Sequence, residues 1–227
     1  MEMLEDITTR WNLNKAFKKV KQNRGAGGVD RMEVEELLPY LKAHGDEIVH
    51  SVLDGTYRPN PVRRVEIPKE NGKTRGLGIP TAVDRVIQQA IAQVLTPVYE
   101  PEFAETSYGF RPGRSAHDAV RKCLEYAREG YTWTVDMDLE KFFDTVNQDK
   151  LVEILGRKVK DGRVISLIRK YLNAAGVGVP VWTGTPRVRR SRTSDGRRYG
   201  PKERDGRAAG RELIPSARKH HAQRTGS

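Results

Sequence analysis

The chain has 227 residues, a single cysteine and a formal charge of +11, from 41 Lys and Arg against 30 Asp and Glu. That length allows one large domain or two small ones, and lone Cys123 excludes an internal disulfide, while no Cys/His cluster has zinc spacing. No window is apolar enough to span a membrane and no signal-peptide core opens the chain, so a reducing, cytoplasmic setting is the expectation. The charge is unevenly placed: residues 185–227 hold 13 basic and 4 acidic side chains, and residues 1–184 are close to balance with 28 against 26. The high isoelectric point therefore describes the C-terminal stretch more than the body.

Taken in order, residues 8–22 place Leu13, Ala16, Phe17 and Val20 at helical spacing, with Lys15, Lys18, Lys19 and Lys21 mostly elsewhere, which predicts an amphipathic helix with a basic side. Residues 25–28, Gly-Ala-Gly-Gly, stop it; with no P-loop lysine following, a mobile turn is favoured over a phosphate cradle. Two helices are predicted next, one on Val34, Leu37, Leu38 and Leu41, the other on Ile48, Val49, Val52 and Leu53, ending at Gly55. Residues 61–80 switch to period two and read as a hairpin turning at Asn71-Gly72. Arg63, Arg64, Lys69, Lys73 and Arg75 make it strongly cationic; that pattern serves solubility, or else the backbone of a nucleic acid or a triphosphate.

Thr81 and Asp84 begin a helix in capping-box fashion, and Val83, Val86, Ile87, Ala90, Ile91, Val94 and Leu95 give it a core stripe ending near Pro97. In residues 107–115, Ser-Tyr-Gly-Phe-Arg-Pro-Gly-Arg-Ser, the aromatics and arginines suit base stacking and phosphate contact, or a packed loop with Tyr108 and Phe110 in the core; Tyr108 and Arg114 are the nucleic-acid candidates. Ser115 and Asp118 start a further helix with Ala119, Cys123, Tyr126 and Ala127 inward and Gly130 as its stop, making Cys123 a core residue. Trp133, Val135 and Met137 alternate with Asp136 and Asp138, which predicts a strand with one apolar face, running into a helical turn over 139–144. Carboxylates at a strand end are a solvated edge, a helix cap or a site for a hard divalent ion. Helices at 148–156 and 162–173, and a strand on Val177, Val179 and Val181, complete the prediction.

Three of these stretches together resemble group II intron-encoded reverse transcriptase/maturases: Ile67-Pro68-Lys69 with Arg75-Gly76-Leu77-Gly78-Ile79-Pro80, residues 107–115, and Asp138-Leu139-Glu140-Lys141-Phe142-Phe143-Asp144. The resemblance covers about residues 7–186 and implies an α+β fold: reverse-transcriptase fingers over 1–130, a partial palm over 131–186, and then a disordered basic tail over 187–227. It implies an RNA-directed DNA polymerase using deoxynucleoside triphosphates, an RNA template or group II intron RNA, and a DNA primer. Asp138 and the Leu139 carbonyl would hold catalytic Mg²⁺, with Mn²⁺ as an alternative. Lys69 and Arg75 would contact the triphosphate, Arg111 the nucleotide or template, and Phe143 would stand under the sugar. After Gly184-Thr185-Pro186 the family pattern stops: no Asp-Asp pair occurs, and residues 187–227 are poor in apolar side chains and rich in Arg, Gly and Ser. A truncated or frame-shifted product, inactive alone and exposing the apolar stripe at 81–96, is the expectation. A noncatalytic RNA-binding protein using the hairpin, residues 107–115 and the tail is the alternative.

Overall fold

In the computed structural model, residues 2–68, 72, 74–139, 142, 146–174 and 187–190 are described, without the side chains of Arg75 and of 187–190. Helices Met3–Thr8 (α1), Arg10–Asn23 (α2) and Leu37–Leu53 (α3) precede a hairpin of Arg63–Pro68 (β1) and Thr74–Ile79 (β2). Ala82–Tyr99 (α4), a 3-10 turn at Glu100–Glu102, and Ala116–Arg128 (α5) follow. Val135–Asp138 (β3), Gln148–Gly156 (α6), Gly162–Ala174 (α7) and Arg187–Arg190 (β4) end the order. The fold is mixed helix and strand. It divides into one unit of Met1–Tyr131 with Met137–Arg187, and a second holding Thr132–Asp136 and the chain from Val188.

The first unit is built on α4. Its stripe, Val83, Val86, Ile87, Ala90 and Ile91, is buried with Leu4 and Ile7 of α1, Ala16 and Val20 of α2, and Leu167 of α7. Burial of this kind contributes about 1.5–3 kcal/mol per large apolar side chain. Asn12 is a buried polar exception that satisfies itself: its Nδ2 donates to the Ile7 and Ala90 carbonyls at 2.9 and 3.1 Å, and its Oδ1 accepts from Gln93 at 2.7 Å. The helix passes through Pro97 to Tyr99, two residues beyond the expected end. Packing of Val94, Leu95 and Tyr99 against the core, and the Tyr99 hydroxyl bond to the Leu155 carbonyl at 3.0 Å, offset the lost backbone bond.

Early and late chain are tied by ions as well as apolar contact. Arg163 on α7 pairs with Glu5 at 2.9 Å and also with Glu2 and Asp161, and Asp161 accepts from the Leu4 backbone N–H at 3.0 Å. These three carboxylates therefore serve one guanidinium, which lowers the Glu5 carboxyl below its ordinary range by hydrogen bonding.

The two helices expected at 34–55 are one. Pro39 falls in the first turn of α3, where no backbone donor is lost, and Gly45 is carried inside the helix. A Cβ at Gly45 would meet nothing within 4 Å. Gly45→Ala should therefore stabilise the protein by about 0.5–1 kcal/mol, read as a raised thermal midpoint; a lowered midpoint would show that α3 is not continuous there.

Helix α5 begins and ends where expected, but it buries no residue, and Cys123 is exposed rather than in the core. Its apolar side chains, including Val120 and Leu124, form a face that no described element covers. Its start is a complete capping box: Asp118 Oδ2 accepts from the Ser115 N–H at 2.8 Å and from its hydroxyl at 2.7 Å. Those bonds, with Arg121 beside it, hold the Asp118 carboxyl down to about 2. A carboxyl depressed in the folded state stabilises above its unfolded value and loses that contribution as pH falls through its folded value. The α5 start should thus be intact above about pH 4 and weaken toward pH 2. Acid titration of the helix signal in wild type and Asp118→Asn checks this; superimposable curves would count against it.

Strand β3 is shorter than predicted and exposed on both faces, with Val135 at 62% and Met137 at 48%, so the one-sided apolar face is not buried. It pairs with β4 in a second two-stranded sheet. That strand is one described exception to the expected lack of regular structure over 187–227; the remaining tail, and the predicted strand at 177–181, lie outside the described residues. The stripe of α4 is covered, contrary to expectation. Exposed large apolar side chains include Trp11 of α2, Ile67 and Leu77 of the hairpin, Phe103, Phe110, Val120 and Leu124 of α5, and Trp133, Val135, Met137, Leu139 and Phe142.

Candidate nucleotide and nucleic-acid site

The hairpin pairs antiparallel from Arg63 opposite Ile79 to Pro68 opposite Thr74, as its alternation predicts; Asn71 of the expected turn lies outside the described residues. Gly72 has φ +73°, a conformation glycine adopts without penalty. Both ends of the hairpin are rooted by one buried carboxylate. Asp84, 1% exposed, accepts from the Asn60 N–H at 3.1 Å and from the Thr81 hydroxyl at 2.6 Å, both on Oδ2, and from the Tyr57 hydroxyl at 2.7 Å on Oδ1. Thr81 in turn accepts from the Asp84 N–H at 3.2 Å as the N-cap of α4. Burial, then the neighbouring Asp84 charge, pushes the Tyr57 hydroxyl well above its ordinary value. The capping pattern was legible in the sequence; the convergence of Tyr57 and Asn60 on the same carboxylate was not.

The glycine loop supplies the other root. Gly27 and Gly28 are buried, and a Cβ on Gly28 would lie 2.6 Å from the Thr81 backbone N. Arg63 Nε donates to the Gly27 carbonyl at 2.9 Å, and Arg85 Nη2 to that of Ala26 at 3.3 Å. The loop expected to be mobile is docked, because these glycines permit backbone-to-backbone contact that a side chain would block. Arg64 of the hairpin is exposed. Lys69, Lys73 and the Arg75 side chain lie outside the described residues.

In residues 107–115 the two arginines behave differently from free cations. Arg111, its side chain 7% exposed, pairs with Glu100 at 2.7 Å and donates to the Ala104 and Ser107 carbonyls at 2.7 and 2.9 Å. Its guanidinium also lies 5.2 Å from the Phe103 ring centroid. Arg111 thus folds the loop from within, and its donors are engaged by the protein. Arg114 lies over the Tyr108 ring at 5.4 Å and donates to the Glu105 carbonyl. Phe110 has φ +56° and is fully exposed, so of the two aromatics weighed as core, this one stands in solvent.

Asp138 ends β3, exposed, and Leu139 follows outside any regular element. A solvent-facing carboxylate with a non-helical carbonyl next to it fits one hard divalent ion, which takes few protein oxygens and completes its shell with phosphate and water. Asp136 is also exposed on the strand. Phe143 and Asp144 lie outside the described residues.

The sequence profile of the family described as reverse transcriptase (RNA-dependent DNA polymerase) matches residues 67–199, from the hairpin through β3 to β4 and beyond. The chain belongs to the reverse transcriptase family. Within that family its relatives include intron-encoded proteins and maturases. The chain is 37% identical over 183 residues to "Protein YkfC" of Escherichia coli K12, covering 78% of this chain and 48% of that protein. It is 43% identical over 129 residues to "Group II intron-encoded protein LtrA" of Lactococcus lactis, covering 56% of this chain and 21% of the relative. It is 37% identical over 89 residues to "Nuclear intron maturase 2, mitochondrial" of Arabidopsis thaliana, covering 39% and 12%. This reverse transcriptase chain therefore spans about half of the first relative and about a fifth of the second. As a reverse transcriptase it is of the group II intron reverse transcriptase/maturase type, and enzymes of this family use divalent metal ions. Among the described residues, no helix is long and apolar enough to cross a membrane.

Proposed function

We propose that the chain provides the fingers and first palm segment of an RNA-directed DNA polymerase, divided as fingers over 1–130 and partial palm over 131–186. The observation that carries this reading is the rooted hairpin: a cationic ribbon, whose turn and returning strand lie inside the family match, is clamped at both ends by Asp84 and the glycine loop. A rigid root lets its cations meet phosphate without losing ordering entropy at that moment. Lys69 and Arg75 hold the triphosphate of the incoming deoxynucleotide, with Arg63, Arg64 and Lys73 along the nucleic-acid backbone; Arg pairs phosphate in a fork, Lys as a point charge.

Tyr108 and Arg114 contact the template face, and Arg111 positions that loop. Asp138 and the Leu139 carbonyl hold Mg²⁺, which neutralises phosphate charge when bound, and Phe143 lies under the sugar. Two-ion transfer needs ions about 4 Å apart and more than one carboxylate, and these 227 residues contain no Asp-Asp pair. By themselves they should bind an RNA template with its DNA primer and not extend it. A primer-extension assay with Mg²⁺ or Mn²⁺, run beside Asp138→Ala, tests this. Extension by wild type that Asp138→Ala abolishes would prove the chain self-sufficient, and absence of any template binding would remove the reading altogether.

A further inference from the structure

The chain passes from α3 to the hairpin through residues 54–62, and this lead-in is held from two sides. From α4, Asp84 accepts from the Tyr57 hydroxyl and the Asn60 N–H. From α7, Lys170 Nζ donates to the Gly55 carbonyl and, at 3.1 Å, to the Tyr57 carbonyl. One ammonium thus joins two carbonyls that lie 115 and 113 residues upstream. Gly55 takes φ +70°, and the Tyr57 N–H returns to the Ser51 carbonyl at 2.8 Å, so the turn folds back on α3 and presents both carbonyls to α7.

Other cations of α7 are committed elsewhere. Arg163 serves Glu5, Glu2 and Asp161, and Arg169 pairs with Asp149. Lys170 is given to backbone. The next residue, Tyr171, sets its ring 6.4 Å from that of Tyr57, with its hydroxyl buried. Helix α7 is itself a fixed support, since Val164 and Leu167 belong to the core. From Tyr57 the path to β1 is short and stiff. Residues 58–62 read Arg-Pro-Asn-Pro-Val, and each proline fixes its own φ and restricts the residue before it. Asn60, between the prolines, is tied to Asp84. A displacement at Tyr57 is therefore passed on to Arg63 rather than absorbed.

We propose that Lys170 is a positioning residue for the cationic hairpin: from α7 it sets the lead-in to β1, and through it the placement of the ribbon that meets the triphosphate. The triphosphate role rests on the function proposed above; the mechanical tie does not. Because α7 lies in the segment assigned to the palm, Lys170 links that segment to the fingers without touching nucleotide. A hairpin released from this tie must be ordered when it binds, and that lowers its affinity.

The test uses the full chain, amide hydrogen exchange on peptides holding β1 and β2, and titration with a fluorescently labelled dATP in Mg²⁺. Lys170→Met keeps the stem and a good helix former, and removes the donors. It should speed exchange in the hairpin roughly 10-fold, as loss of a charge-assisted bond allows, and weaken dATP binding roughly 3–10-fold. Lys170→Arg, which can still donate to both carbonyls, should stay near wild type in both. Lys158→Met is the control. Its Nζ donates to the Val98 carbonyl at 3.2 Å and pairs with Glu102 at 2.7 Å, at the far end of α4, so its loss should leave hairpin exchange unchanged. Unchanged hairpin exchange in Lys170→Met would overturn the proposal, and so would equal acceleration of every peptide, which is general loss of stability. Faster hairpin exchange with wild-type dATP affinity would overturn the positioning role. A wild type that binds no dATP would remove the polymerase reading, and the exchange comparison would still decide the tie.

Discussion

Replacing Asp84 by alanine is expected to cost about 3–5 kcal/mol of folding stability, because several buried neutral donors lose their shared acceptor at roughly 1–3 kcal/mol each. The carboxylate accepts from the Tyr57 hydroxyl, the Asn60 N–H and the Thr81 hydroxyl. Alanine would leave these donors in a site where Thr81 and Asp84 are each 1% exposed, at roughly 1–3 kcal/mol for each that finds no other partner. The loss would be larger than that of Tyr57→Phe, which removes a single bond to the carboxylate and should cost about 1.5–3 kcal/mol. Asp84→Asn should fall between, since an amide offers one acceptor oxygen where the carboxylate offers two. Because Asn60 and Thr81 stand at the two ends of the hairpin segment, the same change should also loosen the ribbon and, on the proposed function, weaken deoxynucleotide binding. Urea midpoints for the three variants give the ranking. An Asp84→Ala midpoint equal to wild type would mean the carboxylate anchors nothing.

Gly28→Ala should destabilise by about 1–3 kcal/mol, the cost of overpacking a filled site. Its Cβ would stand 2.6 Å from the Thr81 N, 2.7 Å from the Thr81 Cα and 2.9 Å from the Pro80 carbonyl carbon. All three are backbone atoms at the hairpin root, so no flexible side chain can move aside. The reason is space alone, which separates this position from Gly72, where the turn conformation matters. The comparison with Gly45→Ala is informative because the chemistry of the substitution is identical and the expected sign is opposite. Thermal midpoints of the two variants should lie on either side of wild type; a Gly28→Ala protein as stable as its parent would show that the loop is not seated against Thr81.

Much of the frame was legible from short-range pattern. The α4 stripe, the Thr81 and Ser115 caps, the antiparallel hairpin, and helices at 148–156 and 162–173 all follow from spacing within a dozen residues. The family followed from three short strings around residues 67–80, 107–115 and 138–144. The errors share one cause. Amphipathic spacing around Cys123 announced a face for burial, but not whether anything would cover it, and no described element does. Three glycines in four positions announced backbone freedom, but not that Thr81 would stand against Gly28 and the Arg31 backbone against Gly27. The apolar sets at 34–41 and 48–53 were given separate helices, although a first-turn proline and one interior glycine fit within a continuous helix.

Helix periods, caps and turns were settled along the chain, because each depends on neighbours a few residues away and on side chains whose preferences are intrinsic. The roles of Asp84, Gly28, Lys170 and Arg111 were settled only when distant segments met. A carboxylate becomes an anchor when donors from 24 and 27 residues upstream reach it. A cation finds a carboxylate or a backbone carbonyl according to what folding brings beside it, as Glu100 stands beside Arg111 and the Gly55 and Tyr57 carbonyls beside Lys170. Hydrogen-bonding capacity is written in the residue, but its partner is chosen by three-dimensional proximity, and that is why the chemistry of this surface emerged from packing.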